Sequence, residues 1–436
     1  MTYEAVRGMR DILPEEVGCW TLVEKRVRDV ARLFNYREIR PPIVEHTELF
    51  SRGIGEATDV VGKEMFTFPD KKGRSLTLRP EATASVVRAY LEHGLHVKEP
   101  FQKLFYLGPM FRYEKPQKGR SRQFHQYGIE AIGSLDPSLD VEVIEVAWTL
   151  MDSLGIGGLS LRLNSIGCAQ DHGRYREVLR AHFADRITSM CPDCQRRYAE
   201  NPLRILDCKD ARCQEAIAAA PGSADHLCEE CARHFAEVRR LLEHASLSYR
   251  IDGRLVRGLD YYTRTVFELV SQDLGAQDAL LGGGRYDDLV AMLGGPPTPG
   301  VGFAGGMDRL VLVLAERANA PCADERLDLF LVALGEMGQA FALDLARGLR
   351  REGVSVDLDY RGRPFRKQIA YADSIGARLL LVLGENEIES AKGRLKEMDS
   401  GVEEAVPLTP AAIAGAISRR RKGWSSSSSQ SKSPRP

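Results

Sequence analysis

The sequence has no apolar run long enough to cross a bilayer. Its aliphatic stretches, such as 310–315 and 379–383, fall far short of the roughly 20 residues a membrane helix needs. The N-terminus carries no charged-then-apolar export signal. Charge of one sign is also missing: 60 Lys and Arg against 61 Asp and Glu leave a formal net charge of -1. Any nucleic-acid partner must therefore be met by local basic patches, not by an overall positive field. Cysteine is sparse, nine in 436 residues, and without an export signal these are expected as thiols or metal ligands, not disulfides. These absences predict a soluble, cytoplasmic protein with no membrane partner.

What is there exceeds one core. A chain of 436 residues, 43% of them hydrophobic, predicts two or three domains. Pro14 opens a helix whose apolar face, Trp20, Val23, Val27, Val30 and Phe34, follows the 3.6-residue period. Pro41 and Pro42 precede a strand around Ile43 and Val44, and short strands mix with helices from there, including the apolar run 141–154. Residues 1–325 thus read as an α+β domain. Within it, 167–244 changes character, gathers most of the cysteines and reads as an inserted subdomain; 255–270 is strand-like and resumes the core. After a linker at 319–325, residues 326–420 alternate strand and helix, predicting a small α/β domain with a largely parallel sheet. The Ser-rich tail 421–436 is expected to be disordered.

Residues 111–130 alternate cation, acid and aromatic in a way strand packing does not require. Phe105, Leu107 and Phe111 lead in, and Phe124, Tyr127 and Ile129 lead out, predicting two antiparallel strands. The loop between them, 115–122, carries Lys115, Lys118, Arg120 and Arg122 with Pro116 and Gly119 as turn formers, a basic finger suited to phosphates. Arg112 and Glu114 are expected on the first strand. Arg112, Gln126 and Glu130 on one floor would hold a phosphate, an amine and a second polar group at fixed separation. Taken alone, the segment also fits a hairpin with a solvated basic tip.

Four segments occur in order: TLRPEAT at 77–83, this basic hairpin, RGLDYYTRTVFE at 257–268 and GVGFAGGMDRLVLVL at 300–314. With them the chain, from about 3 to 420, resembles the histidyl-tRNA synthetases, class II aminoacyl-tRNA synthetases. The region around Pro41 looks like the family's motif 1, which builds a dimer interface; FRYEKPQKGRSRQF looks like motif 2 and GMDRL like motif 3. RGLDYY resembles a segment particular to the histidine enzymes and their close relatives. The HIGH and KMSKS sequences of class I are missing.

The resemblance implies a class II catalytic domain on an antiparallel sheet and a C-terminal domain that reads the anticodon. It implies a homodimer that activates L-histidine with ATP and Mg2+ and transfers it to tRNA(His). Arg112 and Arg309 would face the α- and γ-phosphates and Arg120 the ATP tail, guanidinium forks matching phosphate oxygens. Arg257, with Arg112, would stabilise the five-coordinate phosphorus. Glu130 and Tyr262, with Tyr261 nearby, would bracket the imidazole, which offers one donor and one acceptor. Glu81, Thr83 and Gln126 would hold the α-ammonium group. Gln117 on the motif 2 loop would approach the acceptor end of the tRNA.

Gly300, Gly302 and Gly305 match GxGxxG, but the preceding GGPPTP is a loop, so a dinucleotide fingerprint lacks its context. They are expected to admit adenine or ribose, and LGGGRYDD at 281–288, which lacks GK[ST], to pack beside the amino-acid pocket. Two rivals stay open: a synthetase-like regulatory subunit of a histidine-biosynthesis enzyme, and a class II synthetase for another amino acid. The retained arginines and the whole C-terminal domain speak against the first, RGLDYYTRT against the second. CPDC at 191–194 and CEEC at 228–231, with Cys208 and Cys213 between, give a zinc-ribbon-like spacing. A structural Zn2+ in the insert is one reading, reduced packed thiols the other, and the spacing leaves the ligand set open.

Overall fold

The computed structural model describes residues 3–55, 58–115, 120–271, 279–316 and 326–427. The chain divides into two units, 1–322 and 323–436.

The strands of the first unit run β1 (Arg37–Glu38), β2 (Val44–His46), β3 (Phe66–Pro69), β4 (Ser75–Leu78), β5 (Gln102–Phe111) and β6 (Gln123–Ile132). They continue with β7 (Leu159–Ser165), β8 (Tyr249–Ile251), β9 (Thr263–Ser271), β10 (Ala279–Arg285) and β11 (Gly300–Gly306). Eight form one sheet in the order β1-β5-β6-β11-β10-β9-β7-β8. Its six central strands pair antiparallel, and only the short edge strands β1 and β8 pair parallel. β2, β4 and β3 make a small separate sheet. The expected hairpin is β5 and β6, paired from Gln102 with Ile132 to Phe111 with Gln123; β5 stops one residue short of Arg112, so Arg112 and Glu114 lie past the strand, not on it.

A core lies against one face of this sheet, and a second, around Tyr106 and Tyr261, against the other. The helix Pro14–Leu33, with proline in its first turn and Glu15 and Glu16 at its positive end, buries Trp20, Val23, Val27 and Val30 in the first. The apolar run at 141–154 belongs to the helix Pro137–Ser153, which Asp136 caps through the Ser138 amide (2.9 Å). Inside that helix Asp140 meets Arg285 of β10 at 2.7 Å, both side chains fully buried. Arg285 also donates to the Ser134 and Asp136 carbonyls, so one guanidinium joins helix, loop and strand.

The insert lies between β7 and β8 and carries the helices Ala169–Phe183, Pro192–Glu200, Ala211–Ala218 and Glu229–His244. Tyr175, Leu179, Phe183, Ile205 and Ile217 form its own core. The two CxxC turns do not share a site, contrary to the ribbon spacing. Cys191 and Cys194 gather with Cys208 and Cys213, whereas Cys228 and Cys231 gather with Cys168 and Asp171. Nor is 255–270 one strand: Leu255 closes a turn onto Asp252 (2.9 Å), and β9 begins only at Thr263.

In the second unit β12 (Leu329–Ala333), β13 (Val356–Leu358), β14 (Leu379–Leu383), β15 (Lys392–Glu397) and β16 (Glu403–Pro407) order as β13-β12-β14-β15-β16. Only the first three pair parallel; β15 and β16 add antiparallel, because a short turn at 398–402 returns the chain directly. Leu329, Leu345, Leu381 and Ile417 share this unit's core. Its last helix, Pro410–Ser427, runs beyond the 421 boundary expected for the tail, with Arg421 donating to Asp328 at 3.1 Å. The linker 319–325 and the rest of the tail fall outside the described residues.

Candidate functional site

TLRPEAT is a hub. Arg79 donates to the carbonyls of Pro41 (2.8 Å) and Pro109 (2.9 Å) and so pins the segment between two others. The Pro80 carbonyl accepts from Arg112 Nε at 2.9 Å, orienting that guanidinium. The Glu81 carboxylate accepts from the Thr83 (2.6 Å) and Ala84 (2.9 Å) amides, the orphan donors that open the helix Thr83–Glu92. Burial raises the Glu81 carboxyl, and those two amides work against the rise.

On β6 the alternation of a strand puts Gln126 and Glu130 on one face. β11 runs beside it with Gly302 opposite Glu130. A side chain at Gly302 would run into the Glu130 carboxylate, so this glycine makes room for an acid. Glu130 accepts from Thr83 Oγ1 (2.7 Å) and from the Tyr286 hydroxyl (2.5 Å). Burial pushes its carboxyl up to about 8, against the pull of those two donors. Gln126 Oε1 is buried without a hydrogen-bond partner, an acceptor waiting for a donor.

Arg257 comes from the turn before β9. Its Nη1 donates to Glu268 Oε1 at 3.0 Å, and Glu268 also accepts from Arg162 at 3.3 Å. Glu268 sits across from Gly282 on β10, and any side chain at Gly282 would collide with the Arg257 guanidinium. Tyr261 and Tyr262 are buried with ring centroids 4.8 Å apart, and Tyr261 meets Tyr286 edge-on at 5.9 Å.

These parts enclose two cavities. The smaller, about 150 Å3, is lined by Glu81, Thr83, Gln126, Glu130, Tyr261 and Tyr262 together with Arg112, Arg257 and Tyr286. The larger, about 290 Å3, is lined by Arg120, Arg309, Glu114 and Glu268, again with Arg112, Gln126 and Arg257. The ten side chains expected to touch histidine or ATP thus each line one cavity or both. Arg309 does not point into bulk solvent; it donates to the Ala279 carbonyl at the cavity wall. Arg120 rests on Glu114 at 3.2 Å. Gln117, Pro116, Lys118 and Gly119 of the basic finger lie outside the described residues.

Tyr286 and Glu268 were missed by sequence reading. The former hides in LGGGRYDD, where the glycines draw attention, and the latter ends a motif in which it looks like an ordinary strand residue.

A family model described as histidyl-tRNA synthetase matches residues 8–310, and one described as an anticodon binding domain matches 328–412. The chain belongs to the histidyl-tRNA synthetase family. A histidine–tRNA ligase of Geobacter metallireducens is 50% identical over 94% of this chain and 99% of its own length. One from Moorella thermoacetica is 48% identical over 96% and 99%. The crystal structure of an apo histidyl-tRNA synthetase from S. aureus aligns at 38% identity with TM-score 0.80, covering 95% of this chain and all of that one. In this histidyl-tRNA synthetase family member the antiparallel sheet is the class II catalytic fold, and the second unit is the anticodon-binding α/β domain.

Proposed function

We propose that this chain is a histidine–tRNA ligase. A carboxylate oxygen of L-histidine attacks the α-phosphorus of ATP, pyrophosphate leaves, and histidyl-adenylate forms. The 3′-terminal ribose hydroxyl of tRNA(His) then attacks the acyl carbon, and AMP leaves.

The division of the site by charge supports this best. Acceptors face the small cavity: Glu81, Glu130 and the unpartnered Gln126 Oε1. They suit an ammonium group and an imidazole N–H, with Tyr262 offering a phenol to the other ring nitrogen. Cations face the large cavity, where Arg120 and Arg309 suit the polyphosphate. Arg112 and Arg257 line both, which is where carboxylate and α-phosphate must meet and charge builds at phosphorus. The Glu268 carboxylate holds Arg257 in place. Magnesium enters with the ATP polyphosphate.

The anticodon-binding unit would select the tRNA, and the basic finger would approach its acceptor end. The enzyme works in the cytoplasm as a homodimer, for which sedimentation at twice the chain mass is the check. Structural zinc in the insert braces the fold and takes no part in the chemistry of either step. Charging of total tRNA with each amino acid in turn tests the reading: histidine alone is expected to be accepted. Histidine binding without charging would point to a regulatory protein, and charging by another amino acid would refute the assignment.

A further inference from the structure

The insert carries two clusters of metal-ligating groups that the proposed reaction does not use. In the first, the sulfurs of Cys191, Cys194, Cys208 and Cys213 all lie within 4.8 Å of one another, and all four residues are buried. The Cys191 and Cys208 sulfurs are 3.7 Å apart. Four thiolates placed tetrahedrally about 2.3 Å from zinc stand about 3.8 Å from each other, so little movement is needed to close around an ion. Backbone amides already point at the sulfurs: Cys194 to Cys191 (3.4 Å), Cys191 to Cys213 (3.3 Å) and Asp210 to Cys208 (3.4 Å). Such donors stabilise thiolate charge and orient metal ligands.

The second cluster repeats the construction. Cys228 caps the helix Glu229–His244 and accepts from the Cys231 amide (3.4 Å), as Cys191 does on its own helix. Its remaining members, Cys168 and Asp171, open the helix Ala169–Phe183, with Asp171 Oδ2 3.5 Å from the Cys168 sulfur. Asp171 Oδ1 is held by the Cys228 amide and Arg174, both at 2.8 Å, which turns Oδ2 toward the thiols.

We propose that the insert holds two structural zinc ions, one on Cys191, Cys194, Cys208 and Cys213 and one on Cys168, Asp171, Cys228 and Cys231. This deepens the reading of the insert as metal-braced and is independent of the ligase activity. The first ion joins the Pro192–Glu200 helix to the segment around Cys208. Between them lie Asn201, which donates to Asp260 at 3.3 Å, and Arg204, which reaches the Gly258 carbonyl at 3.5 Å. Gly258 and Asp260 stand between Arg257 and Tyr261, so this ion positions the amino-acid pocket. The second ion ties the start of the insert's first long helix to the start of its last.

Metal analysis of the full chain, purified without chelator, is expected to give two zinc atoms per chain, released together when a mercurial blocks the thiols. Cys208→Ser should lose one atom and Cys228→Ser the other. Cys208→Ser should also raise the KM for histidine several-fold more than the KM for ATP. Zinc-free protein whose clustered thiols titrate freely would overturn both sites, whatever the ligase assay gives. One atom per chain, lost in Cys208→Ser and kept in Cys228→Ser, would overturn the second site. Because the wild-type count needs no variant, misfolding of a substituted chain cannot rescue either site.

Discussion

Glu130 is where recognition and stability oppose each other. Burial in the folded chain pushes its carboxyl up from 4.5 to about 8. Between those pH values the native state holds a proton that the unfolded chain has released, so this residue's contribution to stability is intact below about pH 4.5 and erodes as the pH rises toward 8. Glu130→Gln should therefore gain in melting temperature relative to wild type as the pH is raised from 5 to 8. It should meanwhile raise the KM for histidine about 10- to 100-fold, the loss of the charge-assisted bond of roughly 1.5–3 kcal/mol that the carboxylate makes once histidine binding ionises it. A melting difference that is flat with pH would show that Glu130 stays ionised in the empty pocket. Glu130 was legible from its spacing to Arg112 and Gln126 and from the family resemblance. Tyr286, its 2.5 Å partner, was not, because nothing local in GGGRYDD says which residue across the sheet a tyrosine will reach.

At the level of elements, the glycines of β10 and β11 are the feature hardest to read from sequence, since their role is defined by what lies on the neighbouring strand. Gly282→Ala would place a methyl group where the Arg257 guanidinium lies. It is expected to lower the rate of histidine activation about as much as loss of Arg257 itself, with the circular dichroism spectrum unchanged; wild-type activity would mean that Arg257 acts from another position. The buried pair of Asp140 and Arg285 was not legible, because Asp140 stands just before the apolar run 141–154, where an acid reads as an exposed first-turn residue of the helix. Asp140→Ala removes one of the two carboxylates that pair with the buried Arg285 guanidinium, leaving Asp287 at 3.2 Å, and a loss of about 3 kcal/mol in denaturant unfolding is expected. A loss under 1 kcal/mol would mean that Asp287 and the Ser134 and Asp136 carbonyls hold Arg285 without Asp140. The β5–β6 hairpin and the Pro14 helix were legible because each follows one period over ten residues or more. The turn at 252–262 was misread because Leu255 and Val256 continue the apolar pattern, although Asp252 and Gly258 bend the chain between them.

For the whole molecule, the order of segments along the chain carried the architecture: the catalytic motifs before residue 315, then the strand and helix alternation of a separate unit with its own core. Sequence could mark the cysteine-rich insert and its CxxC turns, but not which turns meet, because that depends on how four helices fold back between β7 and β8. The central claim is that acceptors in one cavity and cations in the next meet at Arg112 and Arg257. Histidine-dependent exchange of pyrophosphate into ATP, measured for the wild type and for Arg257→Ala, tests it most directly. Exchange with histidine alone, reduced at least a hundredfold in the variant at saturating histidine and ATP, is the expected result. Exchange that needs no histidine, or that survives in Arg257→Ala, would contradict it.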